Sequence, residues 1–256
     1  AGSQFIGSNF NDRIVLSFQD EEFSSVNQLK SSNIINGGDG YDTLEIDAPS
    51  DIDINLVQGK SCSESAIKIG SAIVNEFKNI EEVYFKGTKS ENNINPCGQS
   101  MSNLVSFNIS GGPGDDIIHG GINESTLHGG AHDDLLYGKK SSDKIFGGRG
   151  SDTIKGGASS DLIRGGKGKD IVDGGNGNDR MWGGKQEDQF HLSKGKDVIY
   201  DFVSDDDQLF ITGSLSEIDI NPSGNHTIIS DSNGMNTLVK NSQPSDIKLV
   251  ALPQIL

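Results

Sequence analysis

Residues 165–184 read GGKGKDIVDGGNGNDRMWGG: two glycines, a short polar run, an aspartate, an apolar residue, and then the same again. Glycine loses more conformational freedom on ordering than any other residue, so dense glycine at fixed spacing needs a structural return. Extending the frame in both directions divides residues 111–200 into ten nonapeptides: GGPGDDIIH, GGINESTLH, GGAHDDLLY, GKKSSDKIF, GGRGSDTIK, GGASSDLIR, GGKGKDIVD, GGNGNDRMW, GGKQEDQFH and LSKGKDVIY. Position six is aspartate in nine of the ten, Ser125 being the exception, and position eight is apolar in all ten.

A short strand of about three residues with one apolar side chain cannot fold alone and needs its neighbours stacked on it. Two nonapeptides per turn would point every position eight into a thin core between two parallel sheets. Ten units then make five turns, a stack of about 24 Å at the usual strand spacing. One inner column is expected to hold Ile118, Leu136, Ile154, Val172 and Phe190. The glycines are expected where the chain must turn through positive φ. Stacking also brings position-six aspartates of alternate units over one another. Stacked carboxylates repel unless a cation lies between them, and a hard cation with 6 to 8 oxygen ligands, calcium, suits carboxylates and turn carbonyls.

Composition agrees. The 256 residues hold 37 Asp+Glu against 21 Lys+Arg, a net charge of -16, with 32% hydrophobic residues and 34 glycines. Such a surface repels nucleic acid and anionic membrane and draws cations. Low hydrophobicity with high charge ordinarily gives disorder, so the fold needs another source of energy. Much of the excess acidity lies in the flanks, since residues 111–200 carry 14 acids and 12 bases. No 18-residue apolar run is present, so no membrane span is expected. In a secreted protein Cys62 and Cys97 are expected to form a disulfide worth about 3 to 4 kcal/mol, with two free thiols as the alternative.

The repeats resemble the G-G-x-G-x-D-x-U-x nonapeptides of RTX (repeats-in-toxin, hemolysin-type) proteins. The resemblance covers 111–200 and implies an all-β fold: a right-handed parallel β-roll or solenoid with irregular N-terminal rungs and a C-terminal β cap. It also implies how calcium is held. One loop supplies the carbonyls of positions two and four with its aspartate, and the loop stacked next supplies those of positions one and three with its own. On one edge this assigns Gly112 and Gly114 with Asp116; Gly129, Gly130, Ala131 and His132 with Asp134; and Gly147, Gly148, Arg149 and Gly150 with Asp152. The same edge continues with Gly165, Gly166, Lys167 and Gly168 with Asp170, then Gly183 and Lys185 with Asp188. The other edge takes Lys139 and Ser141 with Asp143; Gly156, Gly157, Ala158 and Ser159 with Asp161; Gly174, Gly175, Asn176 and Gly177 with Asp179; and Leu192 and Lys194 with Asp197. Lysine or arginine is admissible where only the carbonyl is used. About seven calcium ions are expected, the best between Asp152 and Asp170 and the weakest between Ser125 and Asp143.

The flanks are less regular. Residues 201–256 alternate apolar and polar residues around Leu209, Ile220, Ile229 and Val239, which reads as short strands capping the roll. The resemblance adds an uncleaved type I secretion signal at the extreme C-terminus. Asp205–Asp207 reads as a solvated turn, with one more ion site as the alternative. Within 1–110, GSNFNDRIV (7–15) and GGDGYDTLEI (37–46) are isolated repeat units with Asp12 and Asp42 at position six, a candidate calcium pair. The segment DEEFSSVNQLKSS reads as a short helix or a loop, and IDINL, AIKI, EEVYFKG and LVSFNIS as strands.

No H-E-x-x-H, G-x-S-x-G or phosphate-loop motif is present, and no catalytic residue is expected. His119, His128, His132 and His191 are spread along the repeat as surface side chains. Tyr137, Phe146, Trp182 and His191 fall at position nine, outside the core column, where they either are scattered exposed aromatics or form a partner face. Two readings stand. One is a non-catalytic calcium-folding part of a secreted surface-layer or adhesin-type protein, whose partners are calcium and either cell-surface polysaccharide or copies of itself. The other is the calcium-binding tail of a secreted protease, lipase or polysaccharide epimerase.

Overall fold

The computed structural model of the chain describes residues 106–252 apart from 122, 213 and 214, together with short segments at 4–6, 13–17, 34–36, 43–47, 54–55, 67–69, 72–74, 76–78, 82–87 and 93–94. Asp12, Asp42, Cys62, Cys97 and the DEEFSSVNQLKSS segment lie outside the described residues. The fold is all-β, a parallel solenoid, with only two short 3₁₀ turns, Leu215–Glu217 and Pro244–Asp246, as helical elements among the described residues. Neither is long and apolar enough to cross a membrane. Two compact units are found, Ala1–Gly130 and Ala131–Leu256.

In the first unit four strands stack in parallel: Arg13–Ser17 on Thr43–Asp47, that on Glu82–Lys86, and that on Ser106–Pro113. Their register aligns two apolar rows, one running Ile14, Leu44, Val83, Phe107 and the other Leu16, Ile46, Phe85, Ile109. Val83, Phe85, Phe107 and Ile109 are buried while Tyr84 is exposed, which is the alternation of a sheet with one covered face. The chain spacing between these strands is uneven, so the rungs differ in loop length. A small antiparallel sheet, Ile54–Asn55, Ile67–Ile69 and Ala72–Val74, falls within the longest interval.

In the second unit the repeat is strict. Leu135–Lys139, Thr153–Ala158, Ile171–Asn176, Gln189–Leu192, Gln208–Thr212 and Leu249–Leu252 follow one another in one parallel sheet. Lys144–Arg149, Leu162–Lys167, Arg180–Lys185, Gly195–Ile199 and Met235–Val239 form the other. Partners along the repeats are 18 residues apart, as in Ile154 with Val172 and Ile163 with Met181, so two nonapeptides make one turn. Every position eight of this unit, from Leu136 to Ile199, is fully buried, as are Ile118 and Leu127 in the first unit. The strands are longer than the expected three residues: Leu162–Lys167 runs six, because pairing skips Gly165 and resumes at Gly166 and position three. Backbones without side chains approach closely enough to keep the ladder going round the bend.

The second unit ends where the parallel order changes. His226–Ser230 pairs antiparallel with Met235–Val239, and Asp219–Ser223 pairs antiparallel with His226–Ser230. Leu209, Ile211, Ile229, Met235 and Val239 are buried at this end. The edge of this sheet is then the short strand Asp219–Ser223, whose Pro222 lacks an N–H and blunts further strand addition.

Candidate metal centre

The repeat glycines serve two different purposes. Those at positions two and four, Gly121 excepted, have positive φ, for example Gly148 (120°), Gly150 (132°), Gly166 (126°) and Gly168 (135°). The four repeat positions with positive φ that carry a side chain, His132, Lys139, Ser159 and Gln186, also fall at position two or four. The first glycine is required for space instead. A methyl group on Gly165 would overlap Asp170 Oδ2 and would lie 2.6 Å from the Gly183 carbonyl oxygen; Gly147 stands in the same relation to Asp152 and Gly165. Each of these position-one glycines is therefore a cradle walled by a carboxylate oxygen of its own turn and a carbonyl oxygen of the next. In the first unit Gly111 faces Asp116 and the Gly129 carbonyl in the same way.

The aspartates of the second unit form continuous columns. Asp152 Oδ1 accepts a hydrogen bond from the Asp134 N–H (2.9 Å), Asp170 Oδ1 from the Asp152 N–H (2.9 Å), and Asp188 Oδ1 from the Asp170 N–H (2.9 Å). On the other edge Asp161, Asp179 and Asp197 accept from the N–H groups of Asp143, Asp161 and Asp179 at 2.7, 2.8 and 3.0 Å. These donors lie between successive carboxylates and offset part of the repulsion that bare stacking implies.

The second oxygen is different. Oδ2 of Asp152, Asp161, Asp170 and Asp179 is buried and has no hydrogen-bond partner. A buried ionised oxygen without a partner is costly. Burial accordingly pushes the Asp152 and Asp179 carboxyls up to about 6, Asp170, Asp188 and Asp197 to about 7, and Asp161 to about 8, against the backbone N–H bonds that lower them. Neighbouring carboxylates add to the rise, Asp179 and Asp143 in the case of Asp161. A hard divalent cation held by Oδ2 and the surrounding carbonyls would reverse this cost. No group of three or more His, Cys, Asp or Glu side chains suited to a metal occurs among the described residues.

Three places depart from the pattern. Ser125, where aspartate is missing, is buried and turned inward on its own loop: its Oγ accepts from the Gly121 N–H (3.1 Å) and donates to the Asn123 carbonyl (3.1 Å). In the last repeat Leu192 replaces the first glycine with a buried apolar side chain, and Ser193 Oγ lies 3.5 Å from Asp197 Oδ2. Asp207 extends one column by a turn, accepting from the Asp188 N–H (2.9 Å) through Oδ1 and from the Val203 N–H (2.8 Å) through Oδ2. Its second oxygen is satisfied by the backbone, so the column closes there. Asp207 is thus buried in the stack and not part of a solvated turn; one extra residue before it hides it from the nine-residue frame. A second ladder runs at position five, where the Ser151 N–H donates to Asp133 Oδ1 (2.6 Å) and the Lys196 N–H to Asn178 Oδ1 (2.9 Å). The recurrence of Asp, Ser and Asn at that position is its only sequence signal.

A parallel roll whose turns present buried carboxylate oxygens to glycine-lined cradles defines a class of fold suited to holding cations. The RTX calcium-binding nonapeptide repeat model matches residues 31–45, 110–145, 140–172 and 165–199, so these stretches are similar to the repeats of that family. Calcium is the ion that this similarity supports for them. Repeat proteins of this family are generally secreted, and the roll is typically a structural element. No curated protein matches the chain.

Proposed function

We propose that this chain is a non-catalytic calcium-binding module of a secreted surface-layer or adhesin-type protein, folding on extracellular calcium after export. The observation that carries the reading is the set of buried Oδ2 atoms on Asp152, Asp161, Asp170 and Asp179, which lack any partner within the protein. About seven ions, distributed as the stacked aspartates suggest, are part of the proposal, as is a division into strand-rich rungs to 110, the roll to 200 and a cap with secretion signal beyond it. Parallel stacking in the first unit supports a solenoid-like structural role for that part as well.

Cytosolic calcium lies far below the ~10⁻⁴ to 10⁻³ M at which extracellular modules bind. Without the ion the columns hold unpartnered charge, and the thin core does not offset the ordering entropy of so many glycines. An unfolded chain suits a narrow export channel. Outside, each site adds about 1.4 kcal/mol for each tenfold excess of calcium over its Kd. Far-ultraviolet circular dichroism, with chelator and then with added calcium, tests this. Strand signal is expected to appear cooperatively on calcium addition; a spectrum already rich in strand in chelator and unchanged on titration would sink the proposal.

A further inference from the structure

The net charge of -16 conceals one face of opposite sign. Three successive strands of the second unit, Lys144–Arg149, Leu162–Lys167 and Arg180–Lys185, read KIFGGR, LIRGGK and RMWGGK. They contain no Asp or Glu. Their six cations, Lys144, Arg149, Arg164, Lys167, Arg180 and Lys185, are all exposed and are half of the 12 bases in residues 111–200. Register orders them: Arg149, Lys167 and Lys185 form one straight row, while Lys144 and Arg180 flank Leu162 in a second. Neighbours in a row repeat at about 4.8 Å, the strand spacing. The aspartates in the loops before and after these strands, Asp143, Asp161 and Asp179 and Asp152, Asp170 and Asp188, are buried in the columns. Exposed Glu187 is paired with Lys169. Strands of the opposite sheet carry no such set: Ile171–Asn176 contains Asp173, and Gln189–Leu192 contains no Lys or Arg.

We propose that this face binds a linear acidic polysaccharide, with the rows of cations reading carboxylate or sulfate groups spaced along the glycan. The inference rests on the reading of the chain as an extracellular calcium-folded module and names its partner. A cation repeated once per turn in a straight line fits a polymer with regularly repeated charge. Nucleic acid fits less well. Binding of single strands relies on aromatic faces free to stack bases, and the faces here are taken: Trp182 and Tyr200 stack on each other (4.2 Å, 11°), Arg164 covers Trp182 (4.9 Å), and Lys240 covers Tyr200 (4.3 Å). That stack holds the guanidinium of Arg164 in place. Calcium in the columns would neutralise the buried carboxylates behind the sheet and leave the surface charge undiminished.

The test uses the full chain in saturating calcium, with circular dichroism first confirming the folded state of each variant. Hexagalacturonate is titrated calorimetrically, with neutral maltohexaose and an oligodeoxythymidylate as comparators. Hexagalacturonate is expected to bind and maltohexaose not, with affinity falling roughly tenfold or more between 50 and 200 mM salt, as about three neutralised charges predict. Lys144→Glu with Arg180→Glu, neither of them a proposed calcium ligand, should weaken binding by about tenfold or more. Lys155→Glu, exposed on the opposite sheet, should leave it within about twofold. Equal effects of the two changes, no binding of the uronate, or tighter binding of the oligonucleotide would each overturn the assignment. A chain that folds on calcium but ignores the uronate refutes this face alone, whereas a chain without any calcium response refutes the module reading.

Discussion

Asp170→Asn separates the two roles of the aspartate column, because it should change stability in opposite directions with and without calcium. Asn keeps an Oδ1 that accepts from the Asp152 N–H, now a 2.9 Å hydrogen bond, and it keeps the Asp170 N–H that donates to Asp188. What changes is Oδ2, which becomes an amide nitrogen with no negative charge. In the metal-free fold burial pushes the Asp170 carboxyl up to about 7 from an ordinary value of 3.8. At pH 8 the ionised group therefore opposes metal-free folding by roughly 4 kcal/mol, an upper figure since solvent screening, relaxation and coupling reduce it. Asn removes that opposition. In calcium the same group should ligate ions toward both Asp152 and Asp188. At about 10 mM calcium and a Kd near 1 mM each site contributes about 1.4 kcal/mol, so losing two costs about 3 kcal/mol, or more with tighter sites. The assay is urea unfolding followed by circular dichroism at pH 8, in calcium and in chelator, with an excluded osmolyte added to the latter so that metal-free folding falls within range. The variant should be less stable than the parent in calcium and more stable in chelator. Equal loss in both conditions would mean that Asp170 is only a hydrogen-bond acceptor, and the stacking scheme would be wrong.

Two more outcomes follow from the same geometry. Asp carboxyls raised to between about 6 and 8 bind more protons folded than unfolded between about pH 4 and 8, so metal-free stability is greatest below about pH 4 and declines as pH rises through that window. Chelated protein should therefore gain strand signal on acidification, and calcium affinity should fall over the same range; a metal-free spectrum indifferent to pH would contradict the burial of the columns. Gly165→Ala places a methyl against Asp170 Oδ2 and 2.6 Å from the Gly183 carbonyl oxygen, and is expected to cost about 3 kcal/mol and about one calcium ion per chain, read by thermal unfolding and by calorimetric stoichiometry. Unchanged values in both would show that position one is not a cradle.

The nine-residue period by itself determined the roll, the inner columns and the aspartate stacks, since a strand with one apolar residue per repeat has only its neighbours to bury that residue against. That period alone places Ile154 beside Val172 and Asp152 beside Asp170. The isolated strands around Ile14 and Leu44 were legible for the same reason. Other features had no local signal. That the first glycine is needed for space and the second and fourth for positive φ depends on how closely two turns approach, a distance that composition does not encode. Asp207 joins its column in space although a one-residue insertion breaks the 18-residue register along the chain. Ser125 could be seen to lack a carboxylate, but its inward hydrogen bonds to Gly121 and Asn123 are a property of the folded loop. The basic face was spread over three repeats as Lys144, Arg164 and Arg180, with Arg149, Lys167 and Lys185, and averaged away in a net charge of -16. Only the 18-residue register gathers those side chains on one surface while burying the neighbouring aspartates behind it.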